Sequence, residues 1–444
     1  PVYNIGGALN RNSTTRTNQN GPKAYGFRGN ARNYDLNRDF IKADSKNAQA
    51  FTKIFRTLRP ALFIDNHVSN GADYQYTLTH LFTQHNKLGG ALGNYLHQTF
   101  MPALEDSLAQ KNWDITPYVN VFNSTPDQGF NQFFDSPRYS TGYTTLFNTL
   151  GMMVETHMLK PYKKRVEGTY ELMKTFIAIA EKEAEQIKKL SRYSKSRYPV
   201  GGSYPISWKI DSSKTTMLNF KGYTGTQVSS KVTHSDRLKY DRNLPFTKKV
   251  AYQNYYLPDK EIRIPESYIV PKGWWRIVEL LKLNQIEMVP IKKDTIIEAT
   301  VYKIENFKTV QNPYEGHYLH YNTQVSSEKE RVQVSAGDYR ITTQQEGIRY
   351  LLETLEPSAT DSFFNWNFFD TILQQKEGFS PYVWEDKAFE LLENDPVLQK
   401  EFERKKTKDP LFAKNAYEQL DWIHKQSDHY EKAHLRYPIL RIGD

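Results

Sequence analysis

One carboxylate in an apolar run constrains this chain more than any other feature. Residues 151–158 read GMMVETHM. This is the composition of a core strand, with Glu155 in its middle. A carboxylate there is costly unless it is paired or working. Two readings are open. Glu155 is an ion-pair partner for a Lys or Arg of another element, or it is a proton-transfer group whose pKa burial raises toward neutrality. On the two-residue period of a strand, Met153, Glu155 and His157 share one face.

The segments before this strand alternate between strand and helix, so residues 1–190 read as α/β. VYNI at 2–5 is a short apolar run ended by Gly6-Gly7 and predicts a strand. Residues 8–34 are rich in Asn, Arg, Gly and Thr, the composition of a long, functional surface loop. Ala48, Phe51, Ile54, Phe55 and Leu58 recur at helical spacing, and Pro60 stops that helix. ALFIDNHV at 61–68 predicts a strand that runs into a polar loop. Residues 87–110 predict a helix that Pro102 kinks or splits. YVNVF at 118–122 predicts a short strand, and Asn123 to Gly142 another loop. A last helix is predicted over 163–190, with Val166, Tyr170, Met173, Ile177 and Ala180 facing inward.

Near residues 193–205 the composition shifts to that of a linker. Residues 206–345 alternate as strands, in SWKI, MLNF, TIIEATVYKI and ERVQVSAGDYRI, interrupted by a helix over 272–283. A helix is predicted over 345–355. Residues 346–444 are mainly helical, with Asp395-Pro396 and Asp409-Pro410 as punctuation. With 444 residues the chain has room for two or three domains.

Composition narrows the function. The chain has no Cys, so any metal must be held by His, Asp or Glu. The net charge of +9 is a mild excess spread along the chain. No nucleic-acid motif accompanies it, and nucleic acid is not an expected partner. No apolar run approaches the ~20 residues of a membrane span. The expected location is extracytoplasmic, either periplasmic or secreted.

The candidate site residues lie in the first half. His67 ends an apolar strand before a Ser-Asn-Gly loop, where open α/β sheets place their sites. It is either a ligand or a histidine hydrogen-bonded at a strand end. Asp65 shares its face. Arg28, Arg32 and Arg38 fall within one Gly/Asn-rich loop. Arg presents a planar fork to a carboxylate or oxyanion, and Asn37 adds an amide donor. For Arg32, the reading is a solvated charge.

Together these segments resemble the zinc metallocarboxypeptidases, the carboxypeptidase A/B-like peptidases, over about residues 1–190. DLNRDF at 35–40 resembles the family segment whose Asn and Arg bind the terminal carboxylate of the substrate. These residues are Asn37 and Arg38 here. Arg28, seven before Asp35, matches the arginine that stabilises the oxyanion. FIDNHVSNGADYQY matches the strand ending in the third zinc ligand, His67. PRYSTGYTTLFNTLGMMVETHMLKPY matches the closing segment, with Glu155 as general base. Tyr143 is the choice for the tyrosine that covers the substrate, and Tyr139 is the alternative. PVYNIGG resembles the family's N-P-D-G strand end.

The resemblance implies a mixed, mostly parallel twisted sheet with flanking helices, incomplete at its start. A β-rich α+β region and C-terminal helices follow. It implies one zinc ion, and a peptide substrate with a free C-terminal carboxylate. An amidase acting on cell-wall peptides is an alternative within hydrolases.

The family's first two zinc ligands lie on an H-x-x-E motif, and none of the 11 His here is followed by Glu three residues on. The expectation is that the two missing ligands lie upstream of this chain, on a segment that is removed or is a separate chain. The alternative is a non-catalytic protein that keeps the carboxylate pocket. Residues 1–192 are then the C-terminal part of a catalytic domain, 206–345 an accessory domain and 346–444 a helical region. The accessory part would dock onto the catalytic domain or shape its cleft. Its aromatic runs, such as Phe363-Phe364 and Trp366, read as core packing. His317 and His320 lack a clear third metal ligand.

Overall fold

A small mixed sheet carries the candidate residues. The structure is a computed structural model and describes residues 3–9, 15–194 and 197–444. The first strands are β1 (Leu62–Ser69), β2 (Leu78–Phe82), β3 (Ile115–Pro117), β4 (Phe130–Asn131) and β5 (Leu150–His157). Four of them form a sheet in the order β1-β5-β2-β3. β1 and β5 are parallel, as are β2 and β3, while β5 and β2 run antiparallel. Every residue of β5 is buried, as its apolar composition requires. The register sets His67 beside Glu155 on one side and Thr79 on the other.

Helices flank this sheet. Lys46–Leu58 starts at the cap Ser45, whose side chain accepts from Ala48 N, and ends at Arg59 in the left-handed region. The expected helix over 87–110 is broken into His85–Leu88, Gly90–Tyr95 and Met101–Ala109. The break comes at Gly89, which has φ +70°. A π-helical turn over Leu96–Phe100 joins the last two on continuous helical backbone, so the helix departs from the regular α pattern next to Pro102, as expected. The last helix of this half runs over Tyr162–Lys182 and Ala184–Ser194.

Several expectations are corrected. VYNI is not a strand: Val2 lies outside the described residues, and Ile5–Leu9 form a helical turn. Asn4 caps that turn through Gly7 N, 2.8 Å away. The two glycines let it lie against residues 27–31, where a Cβ on Gly7 would meet Phe27 O at 2.2 Å. YVNVF is irregular, because β3 ends at Pro117, which has no N–H to extend a ladder. β2 is an unforeseen central strand, whose buried Thr79 and His80 interrupt the apolar run. The 162–182 helix buries Arg165, Gly168, Leu172, Thr175 and Phe176. Val166, Tyr170, Met173 and Ile177 face outward instead. Gly168 sets this rotation, since its bare Cα lies against the Trp113 ring.

Ten more strands follow. They are β6 (Ser203–Ile210), β7 (Thr216–Ser229), β8 (Asp236–Gln253), β9 (Tyr256–Arg263), β10 (Ser267–Val270), β11 (Val289–Pro290), β12 (Thr295–Thr309), β13 (His320–Val334), β14 (Tyr339–Thr342) and β15 (Leu440–Ile442). β6 pairs with β9, and β7 with β8 in a long hairpin. β4, from the first half, adds to β8 in parallel. The rest form one sheet in the order β11-β14-β10-β15-β12-β13.

One apolar cluster runs through both halves. It joins Phe40, Phe55, Tyr143 and Phe147 to Tyr204, Tyr268, Leu351, Phe363, Trp366 and Phe369. The aromatic run 363–369 is therefore packed as core. Three terminal helices, Pro381–Asn394, Pro396–Lys408 and Ala416–Lys425, close around Trp384 and Phe402 in a cluster of their own. Among the described residues no helix is long and apolar enough to cross a membrane.

Candidate functional site

Glu155 is 8% exposed. Its Oε2 is buried with no hydrogen-bond partner. Its backbone carbonyl accepts from Thr79 Oγ1 at 3.0 Å, which fixes the strand but leaves the carboxyl uncommitted. Burial is the main force raising its pKa to about 7, with Asp65 adding to it. His67, Arg16 and Arg28 pull the other way. His67 holds Asp65 Oδ2 at 2.8 Å through Nε2. Burial opposes a charge on that ring, but Asp65 outweighs it and lifts the His67 pKa to about 9.

The DLNRDF segment is a capped turn. Asp35 Oδ1 accepts from Asn37 N at 3.0 Å and caps the single 3₁₀ turn Leu36–Arg38. Asp35 Oδ2 holds Arg28 through Nε at 2.8 Å and Nη2 at 2.7 Å. Arg38 donates to Asn37 O at 2.8 Å, and its guanidinium stands 4.6 Å above the Tyr139 ring. Asp39, fully buried, then accepts from Lys42 Nζ, Asp44 N and Ser45 N at 2.7–3.0 Å. The chain on both sides of Asn37-Arg38 is thereby fixed. The Asn37 side-chain oxygen is itself buried without a partner.

These groups meet in one cleft of about 380 Å³. Arg28, Asn37, Arg38, His67, Tyr139 and Glu155 all line it. A second cavity of about 610 Å³ shares Arg28, Asn37 and His67 and continues toward Asp65 and Tyr25. Two residues with a buried, unpaired acceptor, Glu155 and Asn37, therefore line a space that Arg16, Arg28 and Arg38 also line. That arrangement can hold an anion and move a proton beside it.

Sequence reasoning missed Arg16 and Tyr118. Both line the cleft. Arg16 reaches Val68 O at 3.4 Å, and Tyr118 lies near enough to Glu155 for its carboxylate to help burial push the phenol to about 12. Arg16 stands in an Asn/Thr/Arg-rich loop with no local pattern, and Tyr118 lies inside YVNVF, where strand composition hides it.

Tyr143 is not brought to the site. It is fully buried, and its hydroxyl donates to Asn284 Oδ1 at 2.6 Å. Its helix, Ser140–Thr145, is buried along its whole length, which turns Tyr143 into the core and leaves Tyr139, at the N-cap, over the cleft. Arg32 is exposed and lies above the Tyr34 ring. His157 is a structural residue that bonds Ala72 O at 2.7 Å and accepts from Leu159 N at 3.1 Å.

The second half reaches the site through one turn. Tyr314 and His317 exchange backbone hydrogen bonds at 2.7 and 3.1 Å, closing a turn with Glu315 at φ +51° and Gly316 at φ +82°. Positive φ at both central residues is the type I′ pattern. Glu315 Oε2 accepts from Asp35 N at 2.8 Å. His317 Nε2 holds Asp44 at 2.7 Å. Tyr314 faces the Arg38 guanidinium. His320 bonds Asp370 and Thr309 instead of joining His317.

Among the described residues no three His, Asp or Glu side chains are placed to hold a metal ion together. The cleft offers one imidazole, His67, already engaged by Asp65, beside the Glu155 carboxyl. These residues do not complete the zinc site that the resemblance implies. No family model, curated protein or solved structure matches this chain.

Proposed function

We propose that this cleft is the carboxylate-recognition and proton-transfer part of a zinc metallocarboxypeptidase-type hydrolase, which cleaves the C-terminal amide bond of a peptide. The observation that carries the reading is Glu155, buried on a core strand with one carboxyl oxygen unpartnered, among the residues that line a cleft with Arg28, Asn37 and Arg38. A structural carboxylate in that position would be held by a partner, and among the described residues Glu155 Oε2 has no hydrogen-bond partner.

The roles follow from position. Arg38 and the Asn37 amide hold the terminal carboxylate, which places the last peptide bond at Glu155. Glu155 takes a proton from the attacking water and passes it to the leaving amine. Arg28 faces the oxygen that becomes negative. Tyr139, stacked on Arg38, covers the bound end. His67 is the residue of this chain that would face a zinc ion.

A second reading, a carboxylate-binding protein without hydrolysis, is favoured by that single metal donor. One experiment separates the two. Calorimetry with an N-acetyl dipeptide and its C-terminal amide should show at least about tenfold preference for the free acid, lost in Arg38→Ala. Hydrolysis of the acid in the presence of zinc should disappear in Glu155→Gln while affinity stays within about twofold. Binding without hydrolysis in the parent chain selects the second reading. Equal affinity for acid and amide removes both.

A further inference from the structure

The cleft does not end at Glu155. It shares Asn120 and Phe122 with a groove of about 500 Å³ between the 120–131 loop and β8 of the second half. None of the side chains lining this groove carries a charge. Its polar members are amides and hydroxyls, among them Asn120, Gln128, Asn131 and Gln253. Asn120, Gln128 and Asn131 are exposed and Gln253 is half-buried, so their amides are open to a ligand in the groove, whereas neighbouring polar groups are committed. Tyr240 donates to Ser124 O, and Lys248 holds Asp127 at 3.0 Å. The groove is held in shape from below, where β4 adds to β8 and sets Asn131 beside Gln253.

We propose that this groove binds the main chain of the peptide substrate on the N-terminal side of the scissile bond. The inference rests on the carboxylate reading of the cleft, and it names what that reading leaves open: the substrate is several residues long and unselected for charge away from its end. A carboxamide offers one donor face and one acceptor face, which is the complement of a peptide group. Four of them along an uncharged channel match successive peptide groups without selecting side chains. Phe122, about half exposed at the junction, separates the end-reading cleft from the groove. The channel wall supplied by β8 gives the β-rich region a direct part in substrate binding.

The test uses N-acetylated Gly/Ser peptides of two to six residues with free C-terminal carboxylates, titrated calorimetrically into the full chain and into the double variant Gln128→Ala/Asn131→Ala. In the parent, affinity should climb about tenfold or more from the dipeptide to the pentapeptide. In the variant the dipeptide should bind as before and the climb should be lost. A melting curve confirms that the variant is folded. Affinity independent of length, or a climb the variant keeps, overturns the proposal. So does binding of N-acetylglucosamine oligomers with no gain from longer peptides, which would make the groove a glycan site. If the dipeptide acid itself fails to bind the parent, the carboxylate reading is at fault, and the groove proposal falls with it.

Discussion

Glu155 and Tyr143 are both polar and buried, yet they are in opposite situations. Tyr143 has its partner, Asn284, and Glu155 Oε2 has none. Removing a satisfied hydroxyl should therefore cost stability and leave binding alone. Tyr143→Phe leaves Asn284 Oδ1 without its donor and should lower the unfolding free energy by about 1–3 kcal/mol in urea, with unchanged affinity for a peptide acid. Tyr139→Ala should do the reverse, weakening the acid several-fold by baring one face of Arg38, with a small change in stability. A loss of affinity in Tyr143→Phe would return that residue to the site. Asn37, Arg38, His67 and Glu155 are legible in the sequence because each sits in a short run with its own pattern. Tyr139 and Tyr143 are four residues apart in the same run. Only burial of the whole 140–145 turn separates them, and that burial depends on residues from 284 onward.

The type I′ turn at 314–317 works at the scale of an element. Three of its side chains hold residues 35–44 at three places: Glu315 at Asp35 N, Tyr314 at Arg38 and His317 at Asp44. Gly316 keeps the turn close, since a Cβ there would meet the Tyr34 ring at 3.1 Å. Glu315→Ala frees Asp35, which orients both Arg28 and Asn37. It should weaken a peptide acid about three- to tenfold without affecting the amide. Glu315→Gln keeps an acceptor for Asp35 N and should recover most of that loss. If Gln behaves like Ala in the same titration, the charge of Glu315 matters rather than its hydrogen bond. This element was not legible. EGHYLH suggests a metal-binding pair by spacing, and its partners lie roughly 280 residues away. Local pattern served better where a continuous apolar run sets a strand, as in β1 and β5. It misled on the 162–182 helix, where two apolar stripes compete and Gly168 against Trp113 decides between them.

Two buried histidines tie the stability of the whole molecule to pH. Burial holds His157 neutral, with a pKa lowered from 6.5 to about 4. Burial, with the stacked His97 ring 4.1 Å away, lowers that of His85 to about 3. The unfolded chain binds protons at both positions below about 6.5, and the native state does not until near those lower values. Their contribution is therefore complete above pH 6.5 and is lost as pH falls, by about 1.4 kcal/mol per pH unit for each histidine. Glu155, raised to about 7, works in the opposite direction below that pH, so the histidine contribution is read as the difference between urea midpoints of the parent and a histidine variant between pH 7.5 and 4.5. His157→Gln keeps a donor for Ala72 O, and its slope should be shallower by one histidine. An unchanged slope would mean that His157 is already charged in the native state.

The apolar cluster shared by the two halves also sets a timetable. Phe40, Phe55 and Tyr143 have their closing partners at Leu351, Phe363 and Trp366. On a ribosome adding roughly 5–20 residues per second, the first half waits on the order of 10–40 s for them, with aromatic surface open to water. A nascent chain in that state is a client for whatever chaperone stands at the exit tunnel. A stop codon between the halves would yield a polypeptide that aggregates rather than a smaller folded protein.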